Sequence, residues 1–187
     1  MSENTNFDFI RDKILRQNLD TVFNHILTLV PFTKSNNYDD EAKSSFRKSI
    51  IISTASIVEA LLFYILDKNF KDSDISEFYS NWEIKNKQVL YTVKKGEYEI
   101  IAGEYKKIQS KTTKEKMNIG QIANFLKAKN IIDKKIFDKI DKLRILRNEQ
   151  HIGTHKIIKI YSEKQLESAF SIASNIKEFT KDFLEKK

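Results

Sequence analysis

Apolar residues recur at three- and four-residue steps along most of this chain, which is the period of one face of an α-helix. Residues 4–30 are predicted as a first helix, its stripe formed by Phe9, Ile10, Ile14, Leu19, Val22, Phe23, Ile26, Leu27 and Val30, with Pro31 ending it. A polar connection follows at 33–38. A second helix is predicted from about Asp39 to Lys68, polar at first and apolar almost all round from Ile50. A helix without a polar face belongs in the centre of a bundle. Within its apolar half Glu59 is the only charge, and a carboxylate there needs a cationic partner or a raised pKa. It can serve as a salt-bridge or capping group of the core, or it can orient a functional guanidinium on a neighbouring helix.

The pattern then changes. Residues 69–87 read as irregular, with a short helix over Ile75–Trp82 capped by Asp74 or Ser73. The run Gln88–Val93, a Lys-Lys-Gly-Glu turn and Tyr98–Ile101 predict a small β-hairpin with Gly96 in its loop. Its Tyr, Trp and Lys neighbours could stack on and pair with single-stranded nucleic acid, or simply cover the core. Residues 106–116 are basic and polar, read as a loop or frayed helix end: a solvated connector, or a flap that attracts phosphate. Asn118 is expected to cap a helix over Ile119–Lys129, and Asp133 to cap the next. Gly153 ends that helix. Ser162-Glu163-Lys164-Gln165 has the form of a capping box, opening a last amphipathic helix to about Leu184. Its inward residues are expected to be Leu166, Phe170, Ile172, Ala173, Ile176, Phe179 and Phe183.

These elements add up to an all-α fold, a bundle of four to five helices with a possible small hairpin insertion. One domain spans residues 1–187: an N-terminal helix and connection (1–38), then a core (39–187) interrupted at about 69–117. One Pro and four Gly agree with long helices. There is no Cys, so disulfides, thiolate metal sites and Cys nucleophiles are excluded, and a reducing, cytoplasmic setting fits. The formal charge of +7 makes a polyanion a plausible partner, although the lysines behind it are spread throughout the chain. No signal peptide is evident, and the apolar run Ile50–Leu66 reads as a buried helix instead of a membrane anchor.

The candidate chemistry lies at the end of the helix after Asp133. Ile132, Ile136, Ile140, Leu143 and Leu146 mark its apolar stripe. Arg144, Arg147, Asn148 and His151 share about a third of a turn that overlaps this stripe, with Arg147 projecting nearly along its centre. Charges carried inward must be paired or must line a wet cleft. A salt-bridged helix end is one outcome, since cations suit a helix C-terminus. Chemistry offers another, because imidazole exchanges protons near neutral pH while guanidinium binds phosphate and offsets developing charge. His25 lies in an apolar stretch and is not read as a ligand. His151 and His155 have the spacing of a zinc pair, but Gly153 interrupts their helix and no third ligand is evident, so no metal or cofactor is expected.

The segment Leu143-Arg144-Ile145-Leu146-Arg147-Asn148-Glu149-Gln150-His151 resembles the signature of HEPN (higher eukaryotes and prokaryotes nucleotide-binding) domains, in which Arg precedes His by four to six residues. Six residues separate Arg144 from His151, and Arg147-Asn148 supplies the Arg-polar dipeptide. The likeness extends over roughly residues 40–185, with Glu59 as the acidic residue of the long early helix. It implies a metal-independent endoribonuclease of phage-defence or toxin–antitoxin type that acts on RNA as a homodimer with a composite site, with an antitoxin or defence protein as a further partner. Carried over, His151 would be the general acid/base. Arg144 would stabilise the phosphorane, and Arg147 with Asn148 would position phosphate. Two rivals remain: a non-catalytic HEPN-like module that binds nucleotide, RNA or protein, and a structural bundle whose arginines form salt bridges.

Overall fold

A computed structural model describes residues 5–94, 96–149 and 160–186. The described chain is mostly helical, with six α-helices and one two-stranded antiparallel hairpin: α1 Lys13–Leu29, α2 Asp40–Asn69, α3 Asp72–Phe78, β1 Asn81–Lys94, β2 Tyr98–Ile108, α4 Ile119–Ala128, α5 Lys134–Asn148 and α6 Glu163–Glu185. It divides into two compact units, residues 1–69 with 118–187, and residues 70–117.

In the first unit α2 is the central element, and α1, α4, α5 and α6 all pack on it. Ile50, Ile51, Ala55, Val58, Leu61 and Leu62 are buried around its circumference, as the loss of a polar face from Ile50 onward predicts. By length and composition α2 could cross a membrane, yet most of its apolar window is covered by protein. Its start is local chemistry: Asp39 Oδ1 accepts the Ala42 N–H at 2.7 Å.

The other caps lie where the side chains predict them. Asn118 and Gln121 form a reciprocal box at the head of α4, as do Ser162 and Gln165 at the head of α6, while Asp133 Oδ1 accepts the Ile136 N–H of α5 at 2.7 Å. Past the end of α4, Asn130 adopts a left-handed conformation (φ 56°), and Ile131 N–H reaches Leu126 O at 2.9 Å, a Schellman ending. On α6 the fully buried set is Leu166, Ala169, Ile172, Ile176 and Thr180, whereas the expected Phe170, Ala173, Phe179 and Phe183 are half-buried flanks.

Four local expectations are corrected. The first helix begins at Lys13, not at residue 4, because Asp12 caps it by accepting the Leu15 N–H at 3.0 Å. Phe7 and Ile10 are buried from a turn before the helix, while Ile14, placed on the stripe, is exposed. The short helix starts at Asp72 and ends at Phe78: Asp74 sits inside its first turn, accepting the Lys71 N–H at 2.7 Å, and Trp82 is in a strand. The hairpin is far longer than Gln88–Ile101, because Asn81–Lys85 pairs with Glu104–Ile108. The basic 106–116 stretch therefore starts as strand. Its remainder is tied back to α3, where Ser76 Oγ donates to Ser110 O at 2.6 Å and the Lys114 N–H donates to Asp72 Oδ1 at 2.8 Å.

Candidate active site

Helix α5 carries Leu143 and Ile140 fully buried and Leu146 nearly so, which fixes its rotation about its own axis. Arg147 then points at α2. Its Nη1 donates to Glu59 Oε2 at 2.8 Å, and both side chains are half-buried, 34% and 27% exposed. The second carboxylate oxygen, Glu59 Oε1, accepts the backbone N–H of Ile119 at 3.1 Å. That N–H is one of the unsatisfied donors in the first turn of α4. One carboxylate from the middle of α2 thus joins the start of α4 to the end of α5. The inward arginine is matched in charge and keeps partial contact with water.

Arg144 takes another direction. Its Nε and Nη2 donate to Asp141 Oδ1 at 2.8 and 2.7 Å, one helical turn back. Its stem lies over Gly120 so closely that a Cβ there would sit 3.0 Å from Arg144 Cδ. Arg144 and Asp141 form one wall of a groove of about 290 Å³ between α4 and α5, whose other polar lining includes Asn118, Gln121 and Asn124. Asn148 is exposed at the end of α5. His151 and His155, with the Gly153 turn, lie outside the described residues. His25 is exposed on α1.

Two members of the site, and one tie elsewhere on α2, were not foreseen from sequence. Asp141 could have been, since it stands three residues before Arg144. Gly120 had no signal, because its role is an absence of side chain beneath a residue of another helix. Arg47 had none either: its Nη1 donates to Tyr161 O at 3.2 Å and its Nη2 to Thr33 O at 3.1 Å, while Ser44 Oγ accepts the Tyr161 N–H at 2.8 Å. These bonds fasten the chain just before α6 to α2. The Tyr161 phenol is pushed above its ordinary pKa of 10.0, first by burial and then by the charge of Glu149.

The sequence matches no family model, no curated protein and no solved structure.

Proposed function

We propose that this protein is a HEPN-type endoribonuclease that cleaves RNA by attack of a ribose 2′-hydroxyl on the adjacent phosphorus, without a metal ion. The observation that carries this reading is the sequence Arg144…Arg147-Asn148…His151, of which Arg144, Arg147 and Asn148 lie in the last turns of α5, with Arg147 anchored on Glu59 of the long central helix. In the reaction the 2′-oxygen bonds to phosphorus and the P–O5′ bond breaks. His151 moves the proton between these oxygens, and Arg144 offsets the charge of the phosphorane. Arg147 and Asn148 orient phosphate or the motif itself. The products are a 2′,3′-cyclic phosphate and a 5′-hydroxyl. The setting is cytoplasmic, in phage defence or beside an antitoxin, and the active form is a homodimer whose two motifs share one cleft.

A second reading is favoured by one observation: both arginines are already matched by carboxylates, Arg147 by Glu59 and Arg144 by Asp141. Such pairing suits a non-catalytic RNA- or protein-binding module, or a bundle stabilised by its ion pairs. The test is cleavage of mixed RNA substrates in EDTA by the wild type, His151→Ala and Arg144→Ala. Metal-free cleavage with cyclic-phosphate ends, lost in His151→Ala, supports the nuclease. Equal activity in wild type and His151→Ala, or loss of activity in EDTA, rules it out. RNA bound but left intact supports the binding module.

A further inference from the structure

The hairpin carries a continuous apolar stripe along one of its faces. Its register pairs Trp82 with Lys107, Ile84 with Tyr105, Val89 with Ile101 and Thr92 with Glu99, so these side chains share one face. Two independent contacts agree: the Trp82 and Tyr105 rings stack at 5.3 Å, and a Cβ on Gly103 would collide with Ile84 Cγ2. The opposite face pairs Glu83 with Lys106 and Lys85 with Glu104, then Gln88 with Ala102 and Tyr91 with Ile100. An apolar stripe of Trp82, Ile84, Val89, Ile101 and Tyr105 therefore runs along the first face, while the second carries a separate exposed apolar pair, Tyr91 and Ile100, beyond its charged pairs. It is open to solvent: Trp82 is 55% exposed, Val89 51%, Ile101 37% and Tyr105 66%. A two-stranded hairpin in water is marginal by itself, and an apolar patch of this extent marks an interaction surface.

We propose that this face packs against the same face of a second copy of the chain, about a two-fold axis lying between the two sheets and perpendicular to their strands. Three features select a second copy as the occupant. The stripe carries opposite charges at its two ends, Lys107 beside Trp82 and Glu99 toward the turn, and the two-fold sets each Lys107 against the partner's Glu99 end. Lys107 also reaches Glu77 of its own chain. The exposed stripe amounts to on the order of 500 Å² per copy, so that the pair buries about 1,000 Å², the lower bound for a specific interface. The hairpin holds four glutamates among its six lysines, a poor fit to a polyanion but a good one to itself. This contact does not depend on the nuclease reading, whose motif-to-motif pairing would be a separate two-fold interface.

Trp82 is the chain's only tryptophan, so its fluorescence reports the face directly. Sedimentation equilibrium of the full chain is expected to show self-association, with Trp82 emission moving to shorter wavelength as concentration rises. Val89→Glu with Ile101→Glu weakens the dimer by about 30-fold or more. Glu99→Lys and Lys107→Glu each weaken it alone. An equimolar mixture of those two single variants restores it, because both cross-pairs are again opposite in charge, a result that a folding defect cannot produce. A wild type that stays monomeric at about 200 μM, far above the working range of specific complexes, overturns the proposal. So does a mixture no more dimeric than its components. A dimer abolished by Arg147→Ala but kept by the hairpin variants places the interface at the α5 motif and overturns it as well. Quenching of Trp82 by single-stranded RNA, with no concentration-dependent shift, assigns the face to RNA instead.

Discussion

Removing the Glu59 carboxylate should separate its two tasks. In Glu59→Gln the side chain keeps an oxygen for the Ile119 N–H, 3.1 Å away, and loses the charge that faces Arg147 at 2.8 Å. In Glu59→Ala both partners are abandoned. A hydrogen bond to a charged group contributes roughly 1.5–3 kcal/mol when desolvated. Here the side chains are 34% and 27% exposed, which lets water replace part of the interaction, so about 1–1.5 kcal/mol is the reasonable share of the ion pair. An uncapped first-turn N–H adds roughly 0.5–1 kcal/mol. Glu59→Gln should therefore cost about 1 kcal/mol and Glu59→Ala about 2. For a chain of this length, 2 kcal/mol corresponds to a fall of about 4–8 °C in melting temperature. Urea denaturation followed by circular dichroism measures both. A double-mutant cycle with Arg147→Ala isolates the pair and should return a coupling near 1 kcal/mol. If Glu59→Ala loses under about 0.5 kcal/mol, the usual range of inconsequential surface changes, or if the cycle is additive, Glu59 is not the tie between α2, α4 and α5.

Three further outcomes can be measured. Thr54 Oγ1 is buried with no hydrogen-bond partner among the described residues, on the wall of a largely apolar groove of about 420 Å³; Thr54→Val should raise stability by about 1 kcal/mol in denaturant titrations. Gly120→Ala sets a methyl 3.0 Å from Arg144 Cδ and 3.3 Å from Asn118 Oδ1. The better helix former offsets the crowding, so stability should change by under about 0.5 kcal/mol, while RNA cleavage, if Arg144 acts on phosphate, should fall several-fold in single-turnover assays. Tyr161 has a folded pKa above its unfolded value of 10.0, so its contribution is complete below pH 10 and is lost as pH rises through the higher folded value. Stability of the wild type between pH 9 and 11 should fall more steeply than that of Tyr161→Phe; parallel curves would show that the phenol plays no part.

The helices were legible wherever their signals lie within four residues of one another. Asp39, Asn118, Asp133 and Ser162 each bond a backbone N–H three positions on, so those starts follow from the chain itself. The same logic explains the miss at the N-terminus, where Asp12 competes with a helix drawn straight through it. Both ends of the hairpin escaped notice for a different reason. Residues from Gln88 to Ile101 are rich in strand-forming side chains around Gly96, whereas the regular pairing of Asn81–Lys85 with Glu104–Ile108 lies beyond a register shift between Lys85 and Gln88, which breaks the two-residue period between the inner and outer parts of β1.

The candidate site divides along the same line. Sequence alone determined that Arg144, Arg147 and Asn148 share a helical sector overlapping an apolar stripe, because helical periodicity is a local property. It also determined that Glu59 stands alone in an apolar helix and needs a partner, because burying a charge has a cost wherever it occurs. Only tertiary structure decided which arginine answers it. Glu59 and Arg147 are 88 positions apart, and whether they meet depends on how α2 and α5 cross and which faces Leu143 and Ile140 bury. Arg144, four residues from Asn148 on the same helix, was turned instead toward Asp141 over the bare backbone of Gly120, where the missing side chain leaves room for its stem.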